Sequence, residues 1–183
     1  TASLIAHLLE EDGRQVVRVG ISRTSVLGEL GKVREESVVV FELSSWRLSV
    51  LSRIRKSPLL WVVTNIYPDH QNYYGSMEAY AEDKKNIFRF QSSGAVILNA
   101  DNPWTQAMAA DAPAGVIWFP KAAQASSDGF TLLGDRIIEA QSGYQEEVAR
   151  LAETSLIGEH NYVNALAAVA AVRTFGVKPS MIQ

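Results

Sequence analysis

Glu42, His70 and Lys84 are the residues whose types and setting most clearly offer chemistry. Glu42 closes the β-branched run VVVF within FELSS, and His70 ends TNIYPDH, which grows out of the apolar run LLWVVTNI at 59–66. Short apolar runs closed by turn residues read as buried parallel strands. In open α/β sheets, ligands bind beyond the carboxyl ends of such strands. Lys84 lies in YAEDKKNIF, where Met77, Tyr80, Lys84, Ile87 and Gln91 share one helical face. The spacing predicts a helix over 77–91 with Lys84 on its packed stripe and Lys85 turned toward solvent. Glutamate and histidine ligate divalent cations directly, whereas an ammonium cannot. A lysine whose uncharged amine has added CO₂ becomes a carbamate with two oxygens, and burial favours the uncharged amine. The three side chains together would make a cation site. The same letters also describe a turn-capping glutamate, a satisfied loop histidine and a lysine that snorkels to solvent.

Three further groups carry paired readings. Ser44 and Ser45 put hydroxyls at a strand end, suited to a metal-bound water or a substrate oxygen, or to a turn. Asn99 and Asp101 in NADN face a nucleotide or stabilise their own turn. Asn161 and Asn164 in HNYVN stand three apart at a helix start, where backbone amides point outward and amide side chains can read an adenine edge. An N-cap role explains one of them but not both.

These residues need a scaffold, and the rest of the chain describes one. With 183 residues, 47% of them hydrophobic, the chain can build a substantial core. A net charge of -3 without a basic stripe argues against nucleic acid as a partner. No apolar run reaches membrane-span length. No signal peptide is read at the N-terminus, and with no cysteine there is neither disulfide nor thiolate metal site, which fits a cytoplasmic protein. Helices are expected at 1–12, stopped by Gly13, at 102–110 after Asn-Pro, and at 160–175, ended by Gly176. Residues 46–54 read as a helical turn and 177–183 as the start of another helix. Strands are expected at 15–20, 38–41, 59–66, 94–99 and 115–119, while 21–36 is irregular. Residues 130–133 and 136–140 flank Gly134-Asp135 as a hairpin, with no helix across 126–152. The fold class is therefore α/β: a mostly parallel sheet flanked by helices, with a small antiparallel β patch appended. Such a domain usually opens on a strand, whereas this chain opens inside a helix, so an upstream element is expected.

Taken in order, TASLIAHLL, FELSSWRL, VVTNIYPDHQNYYGSMEAYAEDKKNIF, ILNADN and LIGEHNYVNALAAVAAV resemble the Mur ligase family. ELSS followed by an aromatic and then leucine resembles its D-glutamate-adding branch. The resemblance implies a P-loop NTPase-like central domain that binds ATP. It implies that Glu42 and His70 serve one or two Mg²⁺ ions and that Lys84 is the carbamylated lysine. Ser44 would lie on the substrate side, and Asn161 and Asn164 near the nucleotide, with Asn164 on the adenine. The implied reaction phosphorylates the carboxylate of UDP-N-acetylmuramoyl-L-alanine with ATP. The D-glutamate amine then attacks the acyl phosphate, a step in peptidoglycan precursor synthesis by a cytoplasmic, monomeric enzyme. There are departures. The GKST phosphate loop is missing and would precede Thr1, as are the N-terminal UDP-binding and C-terminal domains. GISRTS at 20–25 lacks an expected asparagine, and Asp83 stands where a small residue is usual. Residues 1–183 thus read as a truncated central domain, inactive alone. Rival readings are a folylpolyglutamate synthetase-like ligase, a non-catalytic binding module that keeps the fold, and a metallohydrolase built on Asp69-His70.

Overall fold

The computed structural model describes residues 1–20, 25–120, 128–156 and 158–182. The expected asparagine position within 20–25 lies largely outside the described residues. The chain opens with helix α1 (Ala2–Glu11), which buries Ala6, Leu8 and Leu9, and turns at Gly13 into strand β1 (Val16–Val19). A short helix α2 (Val26–Glu29), capped by the Ser25 hydroxyl, precedes β2 (Val38–Phe41). Next come α3 (Ser45–Ile54), β3 (Leu60–Val63), α4 (Gln71–Tyr74), α5 (Met77–Lys84), β4 (Ala95–Asn99), α6 (Pro103–Met108) and β5 (Gly115–Phe119). Strands β6 (Gly129–Leu133), β7 (Arg136–Gln141) and β8 (Tyr144–Arg150) lead to the long helix α7 (Glu159–Thr174).

The strands form two sheets. β1 and β2 pair in parallel, and β3-β4-β5-β6-β7-β8 run in that spatial order. The pairs from β3 to β6 are parallel, and β6-β7 and β7-β8 are antiparallel. The antiparallel patch is therefore continuous with the parallel sheet, and it holds a third strand, β8, that the sequence reading left out. β8 reads YQEEVAR, with two adjacent glutamates and only its end buried, so it lacks the alternation that marks a strand.

β4 is buried along its whole length and divides the interior. Successive side chains of a strand point to opposite faces. Ile97 packs with Phe119, Phe130 and Ile137 against α7. Val96 and Leu98 pack on the other face with Trp61, Ile66, Tyr80, Phe88 and Met108. Helix α7 is buried at every residue from Ala165 to Val172. A helix apolar all round is a core helix, and its alanines let it lie close to both α1 and the sheet.

Several expected boundaries move. The helix expected over 77–91 stops at Lys84 and tightens into a 3₁₀ turn over Lys85–Ile87. Asn86, Ile87 and Phe88, in and just after this turn, are all buried. Gln91 has left the helix, and its side-chain amide donates to the Leu59 carbonyl at 2.7 Å. Residues 45–54 form a full ten-residue helix, not a turn. The strand at 59–66 is confined to four residues. The C-terminal stretch makes a 3₁₀ turn at Pro179–Met181. Among the described residues no helix is long and apolar enough to cross a membrane.

The separation of the sheets leaves a cleft of about 760 Å³ between β2 and β3. Every residue from Ser37 to Leu43 and from Pro58 to Asn65 lines it, and so do Thr1, Val172 and Phe175. Consecutive residues of both parities line both walls, so the strands meet the cleft with their edges, where backbone donors and acceptors lie.

Candidate functional site

Glu42 follows β2 and lies beside the end of β1. Its backbone N–H donates to the Val19 carbonyl at 3.0 Å. Gly20, at φ +81°, makes this approach possible: a Cβ there would stand 2.1 Å from the Glu42 carbonyl oxygen. Glu42 and Lys84 both line the cleft, as do Thr64 and Asn65, the residues that follow β3.

His70 sits just outside the cleft, in the left-handed backbone region at φ 52°, ψ 27°. A non-glycine residue there is strained by roughly 1 kcal/mol or more, and such strain gathers at functional sites. Asp69 holds the conformation by accepting the His70 backbone N–H at 2.8 Å and approaching Nε2 at 3.3 Å. The imidazole meets the buried Tyr80 ring edge-on, with 6.4 Å between centroids. Lys84 Nζ stands 4.7 Å from the centroid of the same ring. Tyr80 is thus the platform that brings His70 and Lys84 to one place. Their i,i+4 spacing put Tyr80 and Lys84 on one stripe, but its link to His70 is tertiary and has no sequence signal.

The adjacent lysines differ. Lys85, expected toward solvent, is instead bridged to Asp111 at 2.6 Å and Glu82 at 2.9 Å. Asp111, which closes the turn after α6, supplies the partner that helix geometry alone could not foresee. Hydrogen bonds that Lys85 donates to Asp111 and then Glu82 raise its pKa, whereas Lys84 lies over the face of Tyr80.

The other expected residues divide. Ser44 is exposed and precedes α3 without capping it. Ser45, at the start of α3, is 2% exposed. Asn99 is buried and its amide donates to the Thr64 carbonyl at 2.8 Å and to Asn65 Oδ1 at 3.0 Å, while its Oδ1 accepts from the Asp101 backbone N–H at 2.8 Å. The turn-stabilising alternative is the one this geometry displays; Asp101 is exposed. Gly158, not an asparagine, caps α7. Asn164 Oδ1 accepts from the hydroxyl of Thr1, a residue that lines the cleft, at 2.8 Å. The Asn161 backbone N–H donates to the Gly158 carbonyl in the first turn of α7.

The sequence reading missed a hydrogen-bonded set beside the site. The Tyr74 hydroxyl donates to Asp83 Oδ2 at 2.7 Å, and Asn86 Nδ2 donates to Asp83 Oδ1 at 2.9 Å. Burial, and then this bond to the carboxylate, push the Tyr74 pKa up from 10.0 to about 12. The sign follows from linkage. Below pH 10 the phenol is protonated folded and unfolded, and its contribution to stability is complete. As pH rises toward 12 the unfolded chain ionises first, so that contribution is lost. The urea stability of the wild type relative to Tyr74→Phe is expected to fall across this window. A constant difference would refute the assignment.

Comparison with known proteins agrees with this architecture. The family profile described as "Mur ligase middle domain" matches residues 1–172. The UDP-N-acetylmuramoylalanine--D-glutamate ligase of Symbiobacterium thermophilum is 37% identical over 185 aligned residues, covering 100% of this chain and 40% of that protein. Its counterpart in Acetivibrio thermocellus is 35% identical, over 94% of this chain and 36% of that protein. The chain thus spans well under half the length of these relatives. Among solved structures, a UDP-N-acetylmuramoyl-L-alanyl-D-glutamate--2,6-diaminopimelate ligase superposes with a TM-score of 0.75 at 21% identity, over 99% of this chain and 42% of the other. MurF from Acinetobacter baumannii gives 0.70 at 18%, over 99% and 41%. At these identities the superpositions speak for the fold, and the profile match over nearly the whole chain settles the family: this chain belongs to the Mur ligase middle-domain family.

Proposed function

We propose that the chain is the ATP-binding middle part of a longer enzyme that adds D-glutamate to UDP-N-acetylmuramoyl-L-alanine through an acyl phosphate. The relatives at 35% and 37% identity carry that ligase name. The observations that support the reading best are that Glu42 and Lys84 line one cleft and that Lys84 and His70 both lie against the Tyr80 ring. A carbamate on Lys84 would add an oxygen ligand to those that Glu42 and His70 offer. These three would hold Mg²⁺, whose charge offsets that of a transferring phosphoryl group. Asn164, bonded to the cleft-lining Thr1 and with Asn161 one turn before it, is suited to the adenine. Ser44, exposed beside Glu42, is suited to the acyl substrate. The cleft walled by two strand edges also suits one more parallel strand, from which a phosphate loop would lead into α1 at Thr1.

The test is turnover by the full-length protein. ADP is expected only when ATP, Mg²⁺, UDP-N-acetylmuramoyl-L-alanine and D-glutamate are all present. Equal turnover with a folate and L-glutamate, or phosphate release without the amino acid, would replace this reading.

A further inference from the structure

Two of the candidate cation ligands have a member of the hydrogen-bonded set close by in sequence. Tyr74 closes α4, four residues after His70. Asp83 immediately precedes Lys84 on α5. We propose that Tyr74 and Asp83 are positioning residues that fix His70 and Lys84 relative to one another, a role that rests on the ligase reading above.

The geometry supports this directly. Tyr74 sits at the hub: its hydroxyl donates to Asp83 at 2.7 Å, and its ring packs 5.1 Å from Tyr80, the residue on which His70 and Lys84 converge. Asp83 spends its second oxygen on the buried Asn86, which anchors the far side of the 3₁₀ turn. Each oxygen of the carboxylate thus has one donor, and rotation of Asp83 would break both bonds. Groups that orient ligands without touching the cation are worth about 10- to 100-fold in metal affinity or activity.

The test uses the full-length protein with Tyr74→Phe, Asp83→Ala and the double variant. Tyr74→Phe removes one oxygen and keeps the ring, so folding is preserved. Mn²⁺ titration by electron paramagnetic resonance is expected to show roughly 10-fold weaker binding for each variant. Turnover should drop by a similar factor, with the KM values for ATP and D-glutamate within about twofold, since the positioning acts on the cation ligands and not on those substrates. The double variant should be no worse than Asp83→Ala alone, because both substitutions break one device. Unchanged Mn²⁺ affinity in Tyr74→Phe would overturn the proposal. So would a fall in melting temperature that accounts for all lost turnover. If the wild type binds Mn²⁺ but releases no ADP with the two substrates, the ligase reading fails while the Mn²⁺ comparison still decides the positioning role.

Discussion

Lys84→Ala in the full-length protein is expected to lower ligase turnover by roughly 10²-fold or more, the usual cost of removing a group that stabilises developing charge. The reasoning separates three roles that a lysine can play. As a packing group over Tyr80, Lys84 contributes on the order of 1 kcal/mol to stability and nothing specific to turnover. As a fixed positive charge, it would be replaced tolerably by arginine. As a carbamate it would be replaced by neither, since a guanidinium does not add CO₂. Lys84→Arg should therefore fail about as completely as Lys84→Ala, with melting temperatures close to wild type. Substantial activity in Lys84→Arg would sink the carbamate and leave a cationic role. Lys85→Ala is the control. It removes an ion pair whose carboxylates are more than half exposed, worth less than about 1 kcal/mol, and it should leave turnover near wild type. Loss at Lys85 with retention at Lys84 would reverse the assignment.

How far these residues could be read beforehand depends on the range of the interaction involved. The parallel strands were legible because VVVF, LLWVV and AVILN are short apolar runs with turn residues behind them, a local pattern. The placement of Glu42 at a strand end follows from the same pattern. Lys84 was placed on the packed stripe correctly because i,i+4 spacing from Tyr80 is local too. What failed was tertiary. Lys85 looked exposed because Asp111 lies 26 positions away and arrives from another helix. Helix α5 was read too long because nothing local announces the 3₁₀ turn over Lys85–Ile87. β8 was missed because its side chains are polar and its pairing with β7, not its composition, makes it a strand. Tyr74 and Asp83 were passed over for the same reason: Asp83 registered only as an unexpected carboxylate, and its partner nine residues earlier became meaningful only once α4 folded back on α5.

The second large effect concerns Asn99 and Asn102, and it distinguishes a nucleotide contact from a structural clamp. Asn99 is 4% and Asn102 5% exposed. Asn99 holds the Thr64 carbonyl and the Asn65 side chain, and Asn102 donates to the Ile66 carbonyl at 3.1 Å. Asn102 also caps α6 by accepting from the backbone N–H groups of Trp104 and Thr105. The buried Thr105 hydroxyl bonds the carbonyls of both asparagines. Residues 64–66, on the way from β3 to His70, are thus hung from the end of β4 by two amides. Truncating either one strands buried carbonyls, at about 1–3 kcal/mol for each unpaired group. Asn99→Ala and Asn102→Ala should each cost roughly 2–3 kcal/mol by urea unfolding, Asn102 also losing its helix cap. The double variant should lose about 4 kcal/mol, less than the sum, because once one amide is gone the loop relaxes from the other. Against a total stability of about 5–15 kcal/mol this is severe. The amide of Asn99 is already spent on the protein, so the ATP KM of the folded single variant should stay within about twofold of wild type. Asn164→Ala, beside the cleft-lining Thr1, should raise that KM about 10-fold, equivalent to one hydrogen bond of roughly 1.4 kcal/mol. A rise in ATP KM for Asn99→Ala without loss of stability would return Asn99 to the nucleotide and dissolve the clamp.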